Sequence, residues 1–235
     1  MVLLDSSPLD ERCLVTYSGK QLSLLDPDPT QIEPADIAHG LAYQCCFNGQ
    51  TRYFYSIAQH SMLVAQLVAP QYRLAALLHD GAAAYLGELP QSLRQLVLEF
   101  QFVEKRLMAA LGARFAIADF AAPAIRRAHQ VALATEQRDL LAHTGGAFAG
   151  AEHSAPVPRR IEALPPEEAK YQFTELLAEL LHKAAPSSSS GESKSKRVVA
   201  EKPRVAVGKT QSKGGQVLAL ASHNREWPAT SPISG

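Results

Sequence analysis

From Pro34 to Ala184 apolar side chains recur at the three- and four-residue spacing of helices that bury one face. Pro34 stands at an N-terminal helical position and opens a helix expected to run to about Phe47, before the Asn48-Gly49 break. Ser56 is the expected cap of a second helix, whose stripe of Ile57, Leu63, Val64, Leu67 and Val68 continues up to Pro70. A third helix is predicted over about Gln71 to Tyr85, apolar nearly all round through Leu74, Ala75, Leu77, Leu78, Ala82 and Ala83, as a central buried element would be.

After a Gly87-Glu88-Leu89-Pro90 turn, a short helix is expected near Gln91 to Val97, a longer one near Glu99 to Phe115, and another near Pro123 to His143. Gly145 to Pro165 reads as a loop. Pro166 to Ala184 is an amphipathic closing helix with Phe173, Leu176, Leu177, Leu180 and Leu181 inward. Ahead of the helices, Tyr17-Ser18-Gly19 and Asp26-Pro27-Asp28-Pro29 mark irregular structure, with a short hairpin around Thr16 to Leu24. The pattern therefore predicts an all-α fold: residues 1–33 as an irregular segment packing on the domain, 34–185 as the helical domain, and 186–235 as a disordered basic tail.

Composition sharpens this division. The apolar fraction of 46% and charged fraction of 20% are those of a soluble globule, and no apolar run reaches the roughly 18 residues of a membrane span. The first residues carry no signal-peptide pattern, so a cytoplasmic location is expected. Cys13, Cys45 and Cys46 suggest neither a disulfide framework nor a zinc knuckle, the adjacent pair being expected on the first helix and pointing apart. The net charge of zero hides an asymmetry. From Pro186 onward eight basic residues face three acidic ones, a surplus of five, which leaves 15 basic and 20 acidic residues in the body. Such a body is a poor nucleic-acid surface. The tail is read as solubilising, with tethering to a polyanion the alternative.

The chemistry concentrates in Leu77-Leu78-His79-Asp80, an ionisable pair inside an otherwise apolar helix. A buried carboxylate needs a cation, a hydrogen-bond network or a metal to offset its lost hydration. His60, in the apolar helix before it, adds a second imidazole, and imidazole with carboxylate suits a divalent ion such as Mn, Co, Fe, Ni or Zn. A helix histidine taken alone is more often a hydrogen-bonded core residue than a ligand.

Tyr55-Ser-Ile-Ala-Gln-His60-Ser, Ala76-Leu-Leu-His79-Asp80 and Tyr85-Leu-Gly-Glu88-Leu-Pro together resemble the HD-domain metal-dependent phosphohydrolases, in the branch of deoxynucleotide 5'-phosphatases and phage-type deoxynucleotide triphosphohydrolases. The resemblance spans about Thr16 to His143. It implies an HD-domain helical bundle, one divalent metal (Mn, Co, Fe, Ni, Zn or Mg) held by His60, His79 and Asp80, and Glu88 as an acid that orients water or substrate beside catalytic Asp80. The family's fourth ligand is an Asp on a later helix; the matching position here is His129, which can ligate the same ions. Glu136 and Asp139 are the fallbacks. Seven residues beyond His129, Glu136 returns to within about 20° of its face, whereas Asp139 lies about 80° away.

Two further departures bear on activity. A Glu three residues after the HD pair is replaced by Ala83, and an Arg that binds phosphate ahead of the upstream His is replaced by Cys46, leaving Arg52 as the nearest substitute. The function implied is a metal-dependent phosphohydrolase acting on nucleotides or other small phosphate esters. The alternative is a catalytically degenerate HD domain that binds a nucleotide or a protein. The resemblance also allows a homodimer, for which Phe100, Val103, Leu107 and Leu111 offer an apolar stripe that would otherwise face the protein's own core. No membrane or nucleic-acid partner is expected.

Overall fold

The computed structural model describes residues 13–142 and 153–184, all within the first of two units, Met1–Ser188. The expected disorder of 186–235, its proposed tether, and the first part of the 145–165 loop lie outside the described residues. So do residues 1–12. What is described is mostly helical: α1 (Pro34–Tyr43), α2 (Ile57–Gln66), α3 (Arg73–Leu77), α4 (Ala83–Leu86), α5 (Gln91–Arg94), α6 (Leu98–Phe115), α7 (Pro123–Leu140) and α8 (Pro166–Ala184).

A two-stranded antiparallel hairpin precedes them, β1 (Cys13–Val15) with β2 (Gln21–Ser23), in the register Leu14 opposite Leu22. Its turn uses Gly19 at φ 82°, a value that suits glycine. The hairpin is fastened to α1 by Asp36, whose buried carboxylate accepts from the Ser18 backbone N–H (2.6 Å) and hydroxyl (2.9 Å). Leu22 and Ile32 are fully buried, so this segment contributes to the core.

Ser56 caps α2 as expected, its hydroxyl accepting from Gln59 N–H at 3.1 Å. The helix is buried on nearly every side and packs against α1, α3, α7 and α8. Proline begins α1, α7 and α8, where its missing N–H costs nothing. Phe173, Leu177 and Leu180 of α8 are buried against this centre, with Leu176 and Leu181 packed partly beside them. On α6, Leu107 and Leu111 are buried in the protein's own core, while Phe100 and Val103 are half-buried.

The α2 and α5 helices stop a few residues early, at Gln66 and Arg94, and two larger departures from the pattern concern the first and third helices. The first ends at Tyr43 because Gln44 and Cys45 turn extended and pair with the strand-like 55–57 segment: Cys46 N–H donates to Tyr55 O (2.7 Å) and Ile57 N–H to Gln44 O (3.2 Å). Cys45 and Cys46 are therefore not on a helix. Beyond them Phe47 and Asn48 adopt left-handed φ of 55° and 49°. The second correction is at 71–85, where one helix was expected and a turn separates α3 from α4. Apolar periodicity alone does not register that Leu78 leaves helical geometry (φ −104°, ψ 10°) or that His79 to Ala82 form the turn. At Gly81 an added Cβ would lie 3.0 Å from Leu78 O and 3.1 Å from a Leu111 methyl, so the turn packs tightly on α6.

Candidate metal centre

The HD pair sits on that turn, between α3 and α4, rather than inside a helix. His60 comes from the middle of α2 and His129 from the first half of α7. The three imidazoles face one another, with centroids 5.1 Å (His60 to His129), 5.4 Å (His60 to His79) and 5.4 Å (His79 to His129) apart. One ring nitrogen of each lies within 4.8 Å of the others, so the three can hold a metal ion. Asp80 completes the group, its Oδ2 standing 3.2 Å from His79 Nε2 and 3.6 Å from His60 Nε2.

The outer partners fix which nitrogens face inward. His60 Nδ1 pairs with Glu136 Oε1 at 2.7 Å, and His79 Nδ1 with the Ala76 carbonyl at 2.7 Å. With Nδ1 of both rings engaged by these outer partners, Nε2 is the nitrogen turned to the centre, and at His60 a bound metal ion would take the place of the Nε2 proton. His79 Nε2 is buried yet has no hydrogen-bond partner of acceptable geometry. An orphaned buried imidazole nitrogen is costly unless something else occupies it, and three imidazoles with one carboxylate are a donor set for a borderline divalent ion.

The electrostatics separate His60 from the other two rings. Burial pushes His79 down, and burial with the two neighbouring imidazoles pushes His129 down to about 4, so both rings are neutral at pH 7. Burial acts the same way on His60, but the Glu136 carboxylate, aided by Asp80 and Glu88, outweighs it and holds the imidazole up to about 9. Burial would raise Asp80; the surrounding imidazoles, His79 first, outweigh it and keep the carboxyl below its usual range.

Glu136 Oε1 is the buried acceptor behind His60, and it also accepts from the Tyr55 hydroxyl at 2.8 Å. Asp139 points elsewhere, accepting from Arg138 (2.7 Å), Arg160 (2.6 Å) and the Ile161 N–H (3.0 Å). Its role is to anchor the returning 153–165 segment to α7.

Beside this cluster is a cavity of about 80 Å³, lined by His79, Asp80, Ala83, Glu88 and Arg94 among other residues, three of them from α6. Glu88 accepts from the Phe47 backbone N–H at 3.0 Å, an N–H turned toward it by the left-handed kink, and burial raises its carboxyl with help from Asp80. Cys46, where the resemblance places an Arg, is buried beside the same carboxylate with its Sγ 3.9 Å away; burial and Glu88 push the thiol up, so it stays neutral.

Arg52 is not brought to the cavity. It is exposed, and its backbone N–H is tied to Leu140 O at the end of α7 (2.8 Å), because the 50–54 loop runs along that helix end. The cation that does line the cavity is Arg94, at the last position of α5. Its only signal in the sequence is a positive charge shortly after the Pro90 turn.

Compared with known proteins, the chain is 33% identical over 125 residues to the uncharacterized protein YfdR of Escherichia coli (strain K12), covering 53% of this chain and 70% of that one. This chain belongs to the YfdR family. It is also 41% identical over 125 residues to the uncharacterized protein RCAP_rcc00048 of Rhodobacter capsulatus, covering 49% of this chain and 64% of that protein. No family model matches the chain.

Proposed function

We propose that this protein is a metal-dependent phosphohydrolase of the HD-domain type, acting on nucleotides or other small phosphate esters. The observation that carries the reading is the convergence of His60, His79, His129 and Asp80 from three separate parts of the chain, with the Nε2 of His79 buried and unpartnered. These four residues would hold the ion, and His129 would serve where relatives in the resembling family use an Asp. A divalent ion bound there would supply Lewis acidity toward a phosphoryl oxygen and make a coordinated water more acidic.

The chain's own contribution is positioning. Glu136 and Ala76 O hold two imidazoles in one orientation, and Glu88, fixed by Phe47 N–H, lines the cavity with a carboxyl that burial raises above its ordinary range. A raised carboxyl is suited to orient water and to exchange a proton with it. The cavity admits water and a phosphoryl group, whereas pockets that enclose a whole small ligand run to several hundred Å³. The nucleoside would therefore lie at its mouth.

A second reading, a binding module without turnover, is favoured by one observation: Ala83 lines the cavity where the resembling family places a Glu. Phosphate release from a panel of deoxy- and ribonucleotides with Mn, Co or Mg, compared with Asp80→Ala, separates the two. Release that needs both metal and Asp80 is expected. Saturable nucleotide binding with no release above the Asp80→Ala background would replace the hydrolase with the binding module.

A further inference from the structure

Arg94 is the one Lys or Arg among the residues lining the cavity, which His79, Asp80 and Glu88 also line. Its guanidinium Nη2 meets Glu104 Oε2 at 2.5 Å, and Glu104 lines the cavity as well. Two features hold this pair at the opening rather than in open solvent. The Gln101 side chain donates to the Arg94 carbonyl at 2.7 Å, fixing the end of α5, and Phe100, Glu104 and Met108 occupy one face of α6, four residues apart, toward the cavity. Arg94 remains 42% exposed and Glu104 20%, so the ion pair is accessible to an incoming anion.

The charges lining the cavity give such a cation a role. Asp80, Glu88 and Glu104 line the cavity with Arg94 as the one Lys or Arg among them, so that guanidinium is what the lining offers to offset the carboxylates when a phosphate enters. Cys46 is a neutral thiol and Arg52 lies elsewhere, so neither supplies the compensation. A planar guanidinium binds a phosphate with two parallel N–H donors as readily as it binds a carboxylate. A carboxylate already on Arg94 is therefore a ligand of matching shape that phosphate can displace.

We infer that Arg94 is the phosphate-binding residue of this site and that Glu104 is its resident counter-anion, displaced when a phosphate enters. This rests on the metal-dependent reading above and adds the residue that selects for an anionic substrate. Glu104 thereby sets the affinity: every phosphate bound has to outcompete it for the guanidinium.

The test is titration of inorganic phosphate into the cobalt-loaded full chain by calorimetry, after titrating cobalt alone into the same proteins. Cobalt affinity reports whether the ligand cluster is intact in each variant, separately from the anion site. Arg94→Ala is expected to bind cobalt as the native chain does and phosphate on the order of 10- to 100-fold more weakly, the range for losing a charge-assisted pair. Arg94→Lys should fall between the two. Glu104→Gln should bind phosphate several-fold more tightly, a direction opposite to that of a purely structural ion pair, whose loss would weaken or leave unchanged the binding. Unaltered phosphate affinity in Arg94→Ala, a weaker one in Glu104→Gln, or no phosphate binding by the cobalt-loaded native chain overturns the assignment while leaving the metal site standing. Failure of the native chain to bind any divalent ion instead removes the metal-dependent reading and this inference with it.

Discussion

At the scale of single residues, Glu136 has the largest leverage relative to its sequence signal. It is fully buried, and one of its oxygens serves both His60 Nδ1 and the Tyr55 hydroxyl. Without it His60 has no buried partner to fix its tautomer, and the Nε2 lone pair no longer points reliably at the centre. Glu136→Gln keeps the shape and removes the charge, and is expected to weaken divalent-metal affinity roughly 10- to 100-fold, the usual cost of losing the carboxylate behind a metal-binding imidazole. Titration of cobalt into the variant and the native chain checks this; equal affinities would mean that His60 is oriented by packing alone. From sequence, Glu136 was legible as a residue on the face of His129, because seven residues restore a helical face. Its role was not, since whether a carboxylate on that face touches a metal or an imidazole depends on α2, which lies far away in the chain.

At the scale of elements, the site depends on how closely α4 is drawn to α1. Gly40 is the contact: an added Cβ would sit 2.4 Å from Ala84 O and 2.8 Å from Ala84 Cα, both backbone atoms that cannot swing aside. The α1–α4 contact in turn fixes the turn that carries His79 and Asp80. Gly40→Ala should raise intrinsic helix propensity yet destabilise the fold by about 1–3 kcal/mol through overpacking. Chemical denaturation measures it, and an unchanged or raised midpoint would show that the two elements separate without cost. The boundaries that hydrophobic spacing recovers best are those with a local physical stop, such as Ser56, Pro123 and the 19 residues of α8. It fails at 44–47 and at 78–82, where the interruption comes from tertiary hydrogen bonds and from contact with α6. An uninterrupted apolar run carries no record of either.

For the whole molecule, the buried imidazoles make stability depend on pH in opposite directions on either side of neutrality. His60 has a folded pKa of about 9 against 6.5, so its contribution is fully present below about 6.5 and is lost as pH rises through about 9. His129, at about 4 when folded, works the other way: below 6.5 the unfolded chain takes up a proton that the folded one refuses, and stability falls as pH drops toward 4. His79, also lowered, adds to the acid side. The metal-free protein should therefore be most stable near pH 6.5 to 7, and Glu136→Gln should flatten the alkaline limb. Thermal melts across pH 4.5 to 9.5 in the presence of a chelator test this, and an alkaline limb unaffected by the substitution would remove His60 as its source. Adding a divalent ion at about 100 times its dissociation constant should stabilise the protein by about 2.7 kcal/mol. No helix among the described residues is long and apolar enough to cross a membrane.

The sequence by itself determined the helical character, the caps and prolines that start α1, α2, α7 and α8, and the ionisable residues worth watching, because these follow from spacing and backbone chemistry within a few residues. It also pointed to His60, His79 and Asp80, since imidazoles and a carboxylate among apolar neighbours call for a compensating partner, while His129 entered only through the family resemblance. Only the tertiary structure decided that the three rings face one another, that Glu136 stands behind His60 while Asp139 binds Arg138 and Arg160, and that Arg94 rather than Arg52 reaches the cavity. Those outcomes depend on the crossing of α2, α7 and the 78–82 turn, and on which loop runs past which helix end. Such distances are set by the packing of residues dozens of positions apart, and no local pattern encodes them.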